Sequence, residues 1–488
     1  MKTIHVAIIS ILFNAGLCGR ATAQALRIDN PIAFVDCAGR SAVRDASPTE
    51  NLKQLARDAI SSDTTVSRRA IESLRARGPE GLQALVDEHA ELLKSGPLPP
   101  TTTSRPVPND KFVRLNAALD AVGQQRDCYA SGLYWFTDFE QAKAAAEDSG
   151  KPILSLRLLG KLDEEFSCAN SRFFRTTLYA NADVSRYLRD HFVLHWKSVR
   201  PVPKVTIDFG DGRKLERTIT GNSIHYVLDT DGRPIDALPG LYGPQAFLTG
   251  LKRAEDAAKK CAATTGGERA VFLRQYHTER LAAISVDWSA DMTRIGLLAP
   301  TEKPMSIESP KPSATTPPTA EAAGRITVHK RIVEQPLLRA TATSSSFNRP
   351  QLERATDGMV WAKIAALHVG NAKLDDGSKA LMRAKNPNAF DASRRAMSKT
   401  RVEDPLLRAV LKLERSIAED TVRNEYLLHS KIHEWFVNGH AAADVEKLNA
   451  KVYAELFLTP DSDPWLGLVP RDTYTALEND GLVQTVKR

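Results

Sequence analysis

Residues 139–159 read FEQAKAAAEDSGKPILSLRLL, and this stretch decides how the middle of the chain folds. Its first half has the composition of a helix, which Gly150 and Pro152 are expected to end. Residues 153–159 are apolar at nearly every position, as expected for a strand covered on both faces. The stretch therefore predicts a helix followed by a buried strand.

The residues that follow continue this alternation of helices and strands. The predicted elements are helices from about Ser171, at residues 183–191 and from Pro244, and strands at residues 192–196, 224–228 and 233–238, with a hairpin turn at residues 210–212. The turn is indicated by its Gly-Asp-Gly sequence. Together these elements predict an α/β domain over residues 126–262.

The same residues carry a resemblance to a known family. The stretch EQAKAAAEDSGKPILSLRLLG at residues 140–160 precedes a loop with one cysteine, and FVLHWKSV and GNSIHYVLDTDGRPIDALPG follow it. This order resembles the thioredoxin-like superfamily, in particular exported members with helix-GKP-strand before the redox loop and G-x-P-T-strand-D-x-D-G after it. The resemblance implies a thioredoxin-like central domain, and says less about activity than about fold.

Two features of the family's active site are missing. Redox members place C-x-x-C in the loop after the first long strand, but residues 161–172 contain only Cys168, and the acidic residues 163–165 precede it. Nearby carboxylates raise the pKa of a thiol. In alignment with the family, Ser223 takes the place of the cis-proline. We therefore expect an interaction or scaffold protein; the alternative is a monothiol oxidoreductase or redox sensor that uses Cys168, with Ser223 beside it.

The N-terminus has the pattern of a secretory signal peptide. Lys2 precedes an apolar run at residues 6–17, and an A-x-A triplet at residues 21–23 follows. We predict cleavage after Ala23 and export to the periplasm or outside the cell. Because residues 15–18 also resemble a lipobox, a lipoprotein anchored through Cys18 is the alternative.

The mature chain contains four cysteines, Cys37, Cys128, Cys168 and Cys261, which allow three complete pairings. In an oxidising compartment these cysteines can form disulfides. Cys128 and Cys261 flank the central domain, so a bridge between them is one hypothesis. None of the four forms a C-x-x-C motif.

Helical segments surround the predicted domain. Residues 24–125 resemble HEAT-type helices, residues 263–298 form a helical extension, and residues 299–324 have the Pro, Thr, Ser and Ala content of a linker. Residues 325–488 are expected to form a mainly helical domain. The predicted fold is thus an α/β thioredoxin-like central domain with a helical N-terminal layer and a separate, mainly α C-terminal domain.

One constellation in the C-terminal part could bind a metal ion. Glu425, His429 and His433 recur at every fourth residue of a predicted helix and share one face. Two histidines one turn apart can chelate a divalent ion, with a carboxylate as third ligand. The pattern is not H-E-x-x-H, and a solvated polar stripe is the alternative interpretation.

Charge and motifs exclude several other function classes. The chain has 66 Lys and Arg against 59 Asp and Glu, mixed along its length, whereas nucleic-acid binding proteins concentrate basic residues on one face. It contains no G-x-S-x-G elbow, phosphate loop or dinucleotide fingerprint. We therefore predict no cofactor, no nucleic acid and no transmembrane segment in the mature chain, and expect protein partners in the cell envelope.

Overall fold

The computed structural model describes residues 48–96, 109–219, 222–264, 266–297, 358–385, 405–439 and 444–459. Several sequence-based predictions concern residues outside these ranges. They are the signal peptide, the lipobox at Cys18, any bridge from Cys37, and the linker at residues 299–324.

A small mixed sheet forms the middle of the molecule, and helices make up the rest. Its strands, in chain order, are β1 (Ile153–Leu159), β2 (Val193–Arg200), β5 (Ile224–Leu228) and β6 (Pro234–Pro239). Their spatial order is β2-β1-β5-β6, with β1 parallel to β2 and with β5 antiparallel to both β1 and β6. All seven residues of β1 are buried, because helices cover both faces of the sheet. The mixed α/β class predicted from the sequence is confirmed.

A separate hairpin connects β2 to β5. It consists of β3 (Lys204–Asp208) and β4 (Lys214–Thr218), which pair antiparallel. Gly210 and Gly212 have φ angles of 75° and 88° at its tip, a conformation that glycine adopts without steric cost. The predicted hairpin turn is therefore confirmed.

Helices in the sequence order expected for the central domain cover the sheet. They are α6 (Phe139–Ser149), α7 (Ala169–Phe173), which continues as a π-helix (Phe174–Leu178), α8 (Ala182–His191) and α9 (Pro244–Ala262). Helix α6 begins at Asp138, whose carboxylate accepts from the backbone N–H of Gln141, and ends at Gly150 with φ 67°. The end of α6 at Gly150 is thus the one expected from the sequence, and the cap at Asp138 accounts for its start.

The N-terminal helices have a hydrophobic core of their own. They are α1 (Pro48–Asp58), α2 (Thr64–Ala76), α3 (Pro79–Glu88), α4 (Ala90–Ser95) and α5 (Asp110–Gly123). His89, with φ −112° and ψ 23°, separates α3 from α4. Arg75 joins this layer to the central domain by donating to the carbonyls of Val122 (2.9 Å) and Trp135 (2.7 Å).

The described C-terminal helices do not form a separate domain, and this prediction is corrected. They are α11 (Gly358–Leu367), α12 (Asp376–Lys385), α13 (Pro405–Arg423), a π-helix (Asn424–His429), α14 (Ser430–Val437), α15 (Val445–Lys451) and a π-helix (Val452–Leu456), and α10 (Gly267–Arg294) before them is the helical extension expected at residues 263–298. Their buried apolar side chains belong to one continuous core with the sheet, which extends from Leu133 to Leu458. The apolar faces of these helices are buried on the sheet and α10, so they have no core of their own.

The three described cysteines are free thiols. Cys128, Cys168 and Cys261 are all buried, and the hypothesised bridge between Cys128 and Cys261 is absent. Cys128 lies in the core of the N-terminal helices, whereas Cys261 belongs to the core around the sheet. Since the two thiols occupy different cores, sequence positions flanking one domain were a poor guide to their separation.

Within the described residues, no helix is both long enough and apolar enough to cross a membrane.

Candidate functional site

Cys168 lies between the end of β1 and the start of α7. Its backbone N–H donates to the carbonyl of Leu159 at 3.1 Å, and its side chain is 0% exposed. The thiol sulfur is 3.0 Å from Oγ of Ser223, which is also fully buried. No cis peptide bond occurs in the described part of the chain, so the bond before Ser223 is trans. The structure thus brings the two predicted residues together, in a closed site.

The C-terminal π-helix covers this site. Tyr453 donates from its hydroxyl to the carbonyl of Asn222 at 2.7 Å, and the side chain of Asn222 donates to the carbonyl of Phe457 at 3.4 Å. Both Tyr453 and Phe457 are buried. These contacts hold the segment before Ser223 against the π-helix, and the thiol of Cys168 next to Ser223 is fully buried.

Arg175 follows Cys168 in sequence and could have offset the acidic residues near the thiol. Instead its Nη2 lies 3.3 Å from the carbonyl of Glu165 and 3.4 Å from Oγ of Ser167, so it holds the loop. The carboxylate of Glu165 pairs with Lys385 at 3.1 Å. The charges around the loop are therefore used to fix its shape.

The second predicted group is also assembled, with His429 at its centre. His429 Nδ1 is 3.0 Å from Oε2 of Glu425, and its Nε2 is 3.0 Å from Oδ1 of Asp236 on β6. Ionised carboxylates only accept hydrogen bonds, so both ring nitrogens donate and the ring is an imidazolium. Burial opposes this charge, but the two carboxylates raise the pKa of His429 to about 9.

The carboxylates beside His429 have further donors. Asp236 accepts from the hydroxyl of Tyr276 at 2.7 Å, and Glu425 accepts from Arg280 at 3.2 Å. Burial would raise the pKa of Glu425, but His429 lowers it to about 2. This buried cluster joins β6, α10 and the π-helix Asn424–His429 through charge-assisted hydrogen bonds.

A pair of histidines lies next to this cluster. His277 Nε2 is 3.0 Å from the carbonyl of Ile235, and since a carbonyl only accepts, this nitrogen carries the proton. His277 Nδ1 is therefore an acceptor when the ring is neutral. It lies 2.7 Å from His433 Nδ1, which must donate. Burial lowers the pKa of His277 to about 4 and that of His433 well below its usual value, so both rings are neutral at pH 7. In this tautomer His433 Nε2 is a bare acceptor, and it has no hydrogen-bond partner within the described residues.

Three of these residues could hold a metal ion. Asp236, His277 and His433 each offer a ligand atom within 4.8 Å of the other two, and all three are buried. The expected set of Glu425, His429 and His433 is different, because His429 uses both nitrogens on carboxylates. Two neutral imidazoles and one carboxylate are a common ligand set for Zn²⁺.

A cleft of about 280 Å³ opens beside the cluster. Glu425 lies in its wall, together with His368, whose Nε2 donates to Oδ2 of Asp291 at 2.6 Å. Tyr242 also lines this cleft, and burial and then the nearby carboxylate of Glu425 raise the pKa of its hydroxyl. The cleft therefore has polar groups in its wall and borders Glu425, the hydrogen-bond partner of His429.

The buried residues Asp236, His277, Glu425, His429 and His433 are called the histidine cluster below. Sequence reasoning identified the last three of them, together with Cys168 and Ser223, but missed the first two. Asp236 and His277 belong to a strand and a helix whose sequences carry no ligand-spacing motif. Only their distance in space from His433 reveals them. No protein family model, no curated protein and no solved structure matches this chain.

Proposed function

We propose that this chain is an exported thioredoxin-like protein that acts by binding protein partners in the cell envelope and does not exchange disulfides. The strand order β2-β1-β5-β6 supports the fold, since a parallel pair joined to an antiparallel hairpin, followed by a helix, is what the resemblance implies. The single cysteine of the loop after β1 supports the absence of dithiol chemistry.

The observation that carries this proposal is the burial of Cys168. Thiol–disulfide exchange requires a thiolate to reach a sulfur of the substrate disulfide. The sulfur of Cys168 is 0% exposed, makes a hydrogen bond with Ser223, and lies under the helix that contains Tyr453. A thiol in this position stabilises the core and has no path to a substrate.

Labelling of the native protein with iodoacetamide between pH 6 and pH 9 tests this proposal. We expect Cys168, identified by its peptide mass, to react in denaturant and to be protected in the native state. No turnover is expected in reduction of insulin disulfides. Rapid native labelling with an acidic pKa, together with loss of partner binding in Cys168→Ala, would instead establish the monothiol alternative.

A second candidate function is metal binding, which the proximity of Asp236, His277 and His433 favours. A bound divalent ion would take the Nδ1 lone pair of each ring, and the proton that His433 Nδ1 now donates to His277 would move to Nε2 of His433. The imidazolium of His429 already neutralises the carboxylate of Asp236. We therefore expect His429 to lose one proton when a divalent ion binds to Asp236. Elemental analysis of the purified protein tests this second function. One equivalent of zinc that is lost in His277→Gln and kept in the control His89→Gln would support it. A metal-free protein that takes up no added zinc would exclude it.

A further inference from the structure

A polar stripe crosses β1 and β2 on one face of the sheet. Ser155 pairs with His195 in the strand register, and Arg157 pairs with Lys197. Arg157 is 0% exposed in a strand whose other residues, except Ser155, are apolar. Its Nη1 lies 2.8 Å from Oγ of Ser155 and 3.3 Å from Nδ1 of His195. These contacts hold the guanidinium in one orientation.

The charges at this stripe are not balanced. Nη2 of Arg157 donates to Oε1 of Glu446 at 2.8 Å, and Nζ of Lys197 lies 3.1 Å from the same oxygen. Two cations thus share one carboxylate, which leaves a net charge of +1 on these three side chains. A buried guanidinium is costly unless it is well paired. Here its carboxylate partner is 49% exposed at the start of α15.

These residues surround a cleft of about 200 Å³ between the sheet and α15. Arg157 and Lys197 form one side, and Glu446, Asn449 and Tyr453 form the other. The ε nitrogen of Arg157 has no hydrogen-bond partner within the described residues. The cleft therefore combines space for a small group with donors and positive charge, which is the chemistry that recognises oxyanions.

We propose that this cleft binds a small oxyanion, either a carboxylate or a phosphoryl group, in the place that the carboxylate of Glu446 now occupies. The planar fork of Arg157 matches two oxygens of such a group, and Lys197 supplies the second positive charge. Glu446 competes with the ligand and swings toward solvent when it binds. The oxygens of the ligand take over the pairing with Arg157, so the buried guanidinium is not left unpaired when Glu446 moves.

Calorimetric titration of the full chain with sodium phosphate and with sodium acetate, at constant ionic strength, tests the proposal. Glu446→Gln removes the internal competitor, so we expect the affinity for the oxyanion to rise at least about 3-fold. Lys197→Gln removes one positive charge, so the affinity for the oxyanion should fall at least about 3-fold. The controls are Glu91→Gln and Lys214→Gln, which make the same charge changes at exposed positions away from the cleft. All four sites are surface positions, and circular dichroism checks that each variant folds.

Saturable binding that responds to the cleft variants and not to the controls would support the site. Binding of phosphate alone would identify a phosphoryl ligand, and binding of acetate alone a carboxylate. Equal responses of Lys197→Gln and Lys214→Gln would show general ion screening only and overturn the proposal, as would the absence of binding by Glu446→Gln. The result does not depend on the reactivity of Cys168, so failure here would leave the proposed function standing.

Discussion

Asp120 is a buried residue whose ionisation makes the stability of the fold depend on pH. Its Oδ1 accepts from the backbone N–H of Cys128 at 2.9 Å, and Arg126 lies 3.3 Å from its Oδ2. Burial raises the pKa of Asp120 to about 7, because removal from water outweighs these two donors. The carboxyl group therefore binds its proton more tightly in the folded protein than in the unfolded chain.

We predict that Asp120→Asn removes a pH-dependent loss of stability. A group whose pKa is raised on folding contributes stability below its unfolded pKa, near 4, and this contribution is lost as pH rises through about 7. At pH 8 the variant should therefore gain about 2–4 kcal/mol on the wild type, relative to their difference at pH 4. Urea unfolding at several pH values measures this, with Asp183→Asn on the surface as control. A difference between Asp120→Asn and wild type that is constant with pH would contradict the assignment.

At the scale of elements, the close contact between β6 and the π-helix Asn424–His429 positions the histidine cluster. The side chain of Asn424 donates to the carbonyl of Leu241 at 2.7 Å, just after β6. Gly240, the residue before Leu241, has φ 78°, and a Cβ atom at Gly240 would lie 2.7 Å from Nδ2 of Asn424. π-Helices are rare and often occur at functional sites. Here the π-helix places Glu425 and His429 over β6, where His429 meets Asp236.

We predict that Gly240→Ala destabilises the protein more than Gly439→Ala. Both glycines have positive φ angles, 78° and 76°, but a Cβ atom at Gly439 would meet nothing within 4 Å. The backbone strain should cost about 1 kcal/mol in each variant. Displacement of Asn424 should add about 1–2 kcal/mol in Gly240→Ala. The free energies of unfolding in urea measure this, and equal values for the two variants would show that the contact with Asn424 is easily relaxed.

At the scale of the whole molecule, two hydrophobic cores are present among the described residues. The smaller core lies within the N-terminal helices and includes Leu85, whereas the larger core includes the sheet and the described C-terminal helices. Tyr453 belongs to the larger core and lies over the segment that contains Ser223. Protection of Cys168 is therefore a property of the larger core.

We predict that Tyr453→Ala accelerates labelling of Cys168 in the native state, while Leu85→Ala does not. Both residues are buried, and each substitution should cost about 2–5 kcal/mol through the cavity it leaves. Only the loss of Tyr453 opens the cover over Cys168, because Leu85 lies in the other core. Labelling rates and urea unfolding, measured on both variants, separate local opening from global unfolding. Equal acceleration in the two variants would mean that Cys168 is exposed only by global unfolding.

Local sequence patterns were enough to predict the elements of the central sheet. Gly150 and Pro152 ended α6, the apolar run at 153–159 predicted β1, and Gly210 and Gly212 marked the hairpin, because turn residues and burial patterns act over a few neighbouring residues. The sequence also selected Cys168 with Ser223 through the resemblance, and the face shared by Glu425, His429 and His433 through helical spacing.

The partners of these residues, in contrast, followed from the packing of segments far apart in the chain. His429 meets Asp236 across 193 residues, His277 meets His433 across 156, and Arg157 meets Glu446 across 289. Contacts of this kind depend on which apolar faces pack together once the chain has collapsed, and sequence periodicity describes a face without naming its partner. For the same reason the C-terminal helices, predicted as a domain of their own, instead cover the sheet and bury the thiol of Cys168.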